Sequence, residues 1–113
     1  MVVGETFDSV VKDETKNVMI FFYAPWCTHC KKFKPKYEEI AKKYANEEDL
    51  VIAKIDATAN DWDKYHYAVK SYPTVYLAKK KIKDVPFRFF GERTVEGLTE
   101  FLQNNEILKT SDL

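Results

Sequence analysis

Val18-Met19-Ile20-Phe21-Phe22-Tyr23-Ala24-Pro25-Trp26-Cys27-Thr28-His29-Cys30 is the stretch that decides the fold. The run 18–23 is apolar and aromatic without polar alternation, which reads as a strand buried on both faces. It leads straight into Cys-x-x-Cys, and Cys27 and Cys30 are the only cysteines among 113 residues. If a helix opens at Cys27, positions i and i+3 share a face and the two sulfurs can meet. The first sulfur then lies among the unpaired N–H groups at the positive end of the helix, where a thiolate is stabilised. The thiolate is the species that attacks disulfides, and Cys-x-x-Cys sites lower the cysteine pKa to supply it. A strand feeding this motif therefore reads as a redox site.

Bulk composition narrows the class. At 113 residues, 45% of them hydrophobic, the chain reads as one domain with an ordinary core. Eighteen basic residues balance 18 acidic ones. A general nucleic-acid binder would carry a basic excess. No apolar run approaches the roughly 18 residues a membrane span needs. Met1-Val2-Val3-Gly4-Glu5 lacks the basic start and apolar stretch of a signal peptide. Lys109-Thr110-Ser111-Asp112-Leu113 carries no retention signal. Two expectations remain, a cytosolic protein or a single domain excised from a longer multidomain chain. The abrupt start into structured sequence favours excision.

Outward from the central stretch, Thr6 to Lys12 reads as a short helix, with Thr6 as N-cap and Phe7, Val10 and Val11 on one face. A long helix is expected from Cys27 to Ala45, with Phe33, Tyr37, Ile40, Ala41 and Tyr44 on its apolar stripe. Pro35 should kink it. Leu50–Asp56 reads as a second buried strand, 61–70 as a helix carrying Trp62, Tyr65 and Val69, and Thr74–Ala78 as a strand. A turn at Lys79-Lys80-Lys81 leads to an antiparallel strand over 86–90. Thr94 is the N-cap of a last helix that turns Val95, Leu98, Phe101 and Leu102 inward. Helices alternating with strands, and a hairpin near the end, give an α/β sandwich around a mixed sheet.

Four blocks in this order resemble a catalytic domain of the protein disulfide isomerase family. They are Phe22-Tyr23-Ala24-Pro25-Trp26-Cys27-x-His29-Cys30-Lys31, Ala53-Lys54-x-Asp56-Ala57-Thr58, Tyr72-Pro73-Thr74 and Gly91-Glu92-Arg93-Thr94. The last block is most similar to the second catalytic domain of the multidomain isomerases. The resemblance implies a thioredoxin-like fold, a central mixed sheet flanked by helices. Its first strand would be truncated to Val2-Val3. It also implies thiol–disulfide chemistry in the endoplasmic reticulum lumen on unfolded or misoxidised client proteins. No cofactor is implied beyond the cysteine pair, with glutathione or an upstream thiol oxidase as redox partner.

The resemblance then gives roles to individual positions. Cys27, the more exposed cysteine, is the expected nucleophile, and Cys30, one turn in, the resolving thiol. A structural bridge between them would close too small a loop to stabilise much. A cationic His29 would favour the dithiol and make the disulfide more oxidising. Thr28 stands where the family usually has Gly, and its β-branch stiffens the first turn; a modest change in redox poise is expected. His66, in Tyr65-His66-Tyr67, reads as an ordinary surface or helix residue. Pro73 matches the family's cis-proline, although only about 5% of X–Pro bonds are cis; the cis bond would turn the Tyr72 backbone toward a client chain. Arg93 matches an arginine held to assist deprotonation of the second cysteine. Trp26, Tyr72 and Tyr76 are candidates to line a client surface, with Trp26 the best.

Phe21 is the main departure, since relatives place a buried glutamate there, paired with the lysine matched by Lys54. Lys54 must then reach solvent, find another acid, or sit with a lowered pKa. Slower deprotonation of Cys30 is the expected consequence.

Two other readings compete. A cytosolic thioredoxin-type reductase would carry Gly-Pro between its cysteines, where this chain has Thr28-His29. A redox-inactive chaperone-like binding module or a metal site is the other, but Cys27, Cys30 and His29 supply at most three of zinc's four ligands.

Overall fold

The computed structural model describes residues 4–107. The elements are α1 (Gly4–Val11), β1 (Asn17–Tyr23), α2 (Thr28–Lys43), β2 (Leu50–Asp56), β3 (Thr74–Ala78), β4 (Phe87–Arg88) and α3 (Val95–Asn104). The sheet order is β2-β1-β3-β4. β1 runs parallel to β2 and antiparallel to β3, and β3 is antiparallel to β4. The sheet is therefore mixed, with helices on its faces. The Val2-Val3 strand remnant lies outside the described residues.

β1 shows why the apolar run lacks alternation. Side chains of a strand point to opposite faces in turn, and both faces of this strand are covered. Met19 and Phe21 join Val75, Leu77, Phe33, Tyr37, Ile40, Leu98 and Leu102 in one core. Val18, Ile20 and Phe22 join Phe7, Val11, Ala53, Ile55, Tyr67, Tyr76 and Ala78 in the other. The first core lies under α2 and α3, the second under α1. Tyr37 links helix to sheet: its hydroxyl lies 2.9 Å from the Met19 carbonyl and 2.6 Å from that of Ala53, and donates to one at a time.

Several expectations need correction. The first helix begins at Gly4, a turn earlier than a Thr6 cap would allow, and the Gly4 N–H is taken by the Asn60 side chain at 2.9 Å. The long helix is shorter at both ends than 27–45: Cys27 is its N-cap and Tyr44 its C-cap, and it continues unbroken through Pro35. Residues 61–70 form turns, not a helix. There the Asp63 carboxylate accepts the N–H groups of Tyr65 and His66 at 3.2 Å, and the Trp62 indole donates to the Tyr67 carbonyl at 2.9 Å. Such side-chain bonds compete with the helical ladder. The strand expected at 86–90 contracts to Phe87–Arg88, because Pro86 has no N–H to pair. One further bond, Phe89 N–H to the Val75 carbonyl at 2.9 Å, extends the pairing.

The strands at 50–56 and 74–78 and the cap at Thr94 fall where expected, the cap oxygen accepting the Gly97 N–H at 2.9 Å. The Lys79–Lys81 turn is also present, with Lys81 at φ 65°.

Candidate active site

The motif sits where β1 ends and α2 begins. Cys27 caps α2, and its sulfur accepts the Cys30 N–H at 3.1 Å. A negative sulfur is the species that this end of a helix stabilises. The two cysteines are unbridged thiols. Their exposures differ little, 6% for Cys27 and 4% for Cys30. What distinguishes them is position: Cys27 lines an open depression with Trp26, Thr28, His29, Lys70, Ser71 and Tyr72. Cys30 lines a separate cavity of about 270 Å³ with Phe21, Tyr23, Ala24, Pro25, Lys31 and Lys34. Burial, followed by the hydrogen bond with Cys27, pushes the Cys30 thiol up to about 11, and the Arg93 charge pulls weakly the other way.

Thr28 and His29 are exposed at the first turn of α2. Trp26 is 69% exposed and stands edge-on to Tyr72, ring centroids 5.7 Å apart. The Tyr72–Pro73 bond is cis. Tyr76 corrects the expectation of a client-facing ring: it is buried in the α1-side core, stacked edge-on against Phe22 and Tyr67. Arg93 is exposed on the loop before α3.

Phe21 fills the space under the cysteines. It is buried, with ring centroids 5.1 Å from both Phe33 and Tyr37. Lys54 is its register partner on β2. Of the three fates open to that lysine, the structure takes one: Nζ pairs with Glu38 on α2 at 3.1 Å, and the bond holds the Glu38 carboxyl below its ordinary value. Glu38 carries no local sequence signal for this role, because the contact is made across the helix–sheet interface. His66 lies in a turn, its Nδ1 2.6 Å from Asp63, away from the cysteines.

Sequence reasoning also passed over Arg88 and Phe90. Period-two spacing puts them on one face of the β4 region, and the Arg88 guanidinium lies 5.0 Å from the Phe90 ring centre. Among the described residues no group of three or more His, Cys, Asp or Glu could hold a metal ion.

The family model described as Thioredoxin matches residues 1–104. The chain belongs to the thioredoxin family. Protein disulfide-isomerase A4 of Homo sapiens is 49% identical over 106 residues, 93% of this chain and 16% of that protein. Protein disulfide-isomerase A3 of Gallus gallus is 45% identical over 103 residues, 91% of this chain and 20% of that protein. This thioredoxin domain thus spans between 16% and 21% of the length of curated relatives such as these. The solution structure of the first thioredoxin domain of mouse protein disulfide-isomerase A4 superposes with a TM-score of 0.76 at 33% identity, covering 99% of this chain and 78% of that one. The mixed four-stranded sheet with its flanking helices is accordingly a thioredoxin domain of the protein disulfide isomerase kind.

Proposed function

We propose that this domain is a thiol–disulfide oxidoreductase and isomerase acting on client proteins through Cys27 and Cys30. The observation that carries the reading is the Cys27 sulfur at the N-cap of α2, held by the Cys30 N–H and opening onto the Trp26–Tyr72 depression. The disulfide isomerases among its relatives support it.

The Cys27 thiolate attacks one sulfur of a client disulfide. A mixed disulfide forms and one client thiolate leaves. Cys30 then gives up its proton and attacks the Cys27 sulfur, so that Cys27–Cys30 becomes the disulfide and the client departs as a dithiol, two electrons richer. Run backwards, the same steps oxidise a client dithiol. If the released client thiolate attacks another client disulfide before Cys30 acts, the thiolate so freed can attack the client sulfur of the mixed disulfide and expel Cys27 as thiolate, and the client is rearranged without net oxidation. His29, beside both cysteines in the exposed turn, favours the dithiol when cationic and so makes the Cys27–Cys30 disulfide a stronger oxidant of client thiols. Glutathione or an upstream oxidase would re-oxidise the pair, and the endoplasmic reticulum lumen is the compartment that suits this chemistry.

Equilibration in glutathione buffers, followed by Trp26 fluorescence, tests the reading. A potential near about −180 mV is expected for an oxidase and isomerase; about −270 mV would make the domain a thioredoxin-like reductase. The absence of any redox transition would leave a binding module.

A further inference from the structure

A second cleft adjoins the first. Phe33, Pro73, Val75, Arg88, Phe90 and Arg93 are among its lining residues, and its volume is about 150 Å³. Tyr72 lines the cysteine depression and Pro73 lines this cleft, so the two are consecutive along one loop. Two guanidinium groups face one small space here. Neither has a carboxylate partner among the described residues, and Arg88 Nε is buried with no hydrogen-bond partner at all. Glu92, the one acid on the loop between β4 and α3, does not line the cleft. A buried donor on a charged group left unsatisfied is costly. A planar carboxylate satisfies a guanidinium fork with two parallel bonds.

We propose that this cleft is a carboxylate subsite for the disulfide substrate, with Arg88 the principal contact and Arg93 the second charge. The proposal rests on the oxidoreductase reading and names the substrate class of that site: disulfides bearing an acid a few atoms from the reacting sulfur. That acid comes either from an Asp or Glu side chain of a client segment or from a carboxylate of glutathione. The exposed Phe90 ring, which also lines the cleft, holds the Arg88 guanidinium by a cation–π contact at 5.0 Å.

The test compares rates of reduction, by the pre-reduced domain, of two synthetic disulfide peptides that differ only in Glu against Gln beside the cysteine. Oxidised glutathione and the neutral hydroxyethyl disulfide are run beside them. Wild type should favour the Glu peptide, and Arg88→Gln should lose about fivefold to tenfold in kcat/KM on acidic substrates while keeping its rate on hydroxyethyl disulfide. Loss on the Glu peptide alone assigns the subsite to client acids, and loss on glutathione alone assigns it to glutathione. Equal effects on acidic and neutral substrates, or none, overturn the subsite and leave the oxidoreductase reading standing. A wild type inert on every disulfide, the neutral one included, overturns both. Should Arg88→Gln fail to fold, wild type decides: its preference for the Glu peptide must shrink between 0.05 and 0.5 M salt, as the screening length falls from about 14 Å to about 4 Å, and a wild type with no preference at low salt sinks the subsite.

Discussion

Phe21 lines the same cavity as Cys30 and offers no acceptor for that thiol's proton. The thiol is pushed up to about 11, chiefly by burial, and the residue beneath it is a ring that accepts no proton. Attack on the mixed disulfide requires the Cys30 thiolate, and burial, the largest cause of the upward shift, persists once Cys27 is bonded to a client, so the resolution rate of the wild type should keep rising through the alkaline range. Phe21→Glu places a carboxylate beside the cavity that Cys30 lines and opposite Lys54 in the parallel register. That carboxylate can take the proton, and general-base assistance is worth about 10²–10⁴ in favourable geometry. We expect decay of a preformed Cys27 mixed disulfide, followed in single-turnover quenched flow at pH 7, to accelerate at least about tenfold. Global stability should drop by about 3 kcal/mol as a buried ring is exchanged for a polar group. An unchanged decay rate in a folded variant would show that Phe21 is no brake.

At the scale of elements, the loop from β4 to α3 depends on a glycine. A Cβ at Gly97 would lie 2.1 Å from the Glu92 carbonyl oxygen. That carbonyl accepts the Thr94 N–H at 2.9 Å, and Arg93 lies between the two. Gly97→Ala gains up to about 1 kcal/mol of helix propensity, but it must push the loop off the helix. We expect a net loss of about 2 kcal/mol in urea unfolding and slower Cys30 resolution as Arg93 is displaced. A neutral or stabilised variant would mean that the loop yields freely.

Elements of this kind also mark what a sequence shows. β1, β2 and β3 were legible because each needs apolar residues on both faces, which is a local and continuous signal. Thr94 was legible because its oxygen reaches only three residues ahead. The 61–70 segment was misread because its apolar spacing is only partly genuine: Trp62 and Val69 pack on the core, but Tyr65 is 89% exposed and Tyr67 is buried instead. Trp62 and Tyr67 do turn inward, yet the Asp63 carboxylate takes the N–H groups that a helix would need. In the site, Cys27, His29 and Cys30 are contiguous and could be read directly. Glu38 as the partner of Lys54, and the Arg88–Arg93 cleft, arise from contacts between distant segments and left no such mark.

For the molecule as a whole, chemistry and anchorage occupy opposite ends of β1. The cysteines follow its last residue, while Lys83 ties down its start. Lys83 is 3% exposed, and its Nζ donates to the Lys16 carbonyl at 2.6 Å and the Ala78 carbonyl at 3.0 Å. It thereby joins the turn entering β1 to the exit of β3. Burial pushes the ammonium down to about 8, against the pull of Asp13 and Glu14. In the unfolded chain a lysine titrates near about 10.4. Below pH 8 Lys83 is protonated in both states, and the full desolvation cost is borne by the native one. Between pH 8 and 10.4 the unfolded chain binds the extra proton, so this group's contribution to stability rises with pH. Cys30, raised chiefly by burial, works in the opposite direction over part of that range, so the Lys83 effect has to be read against a variant at each pH. Relative to Lys83→Met, the wild type should gain about 2 kcal/mol in urea unfolding free energy between pH 7.5 and 9.5. Disulfide reduction at neutral pH should be alike in the two proteins, since the cysteines lie at the other end of the strand. A difference in stability that stays constant across that range would show that Lys83 keeps its proton, held by the two carbonyls, throughout.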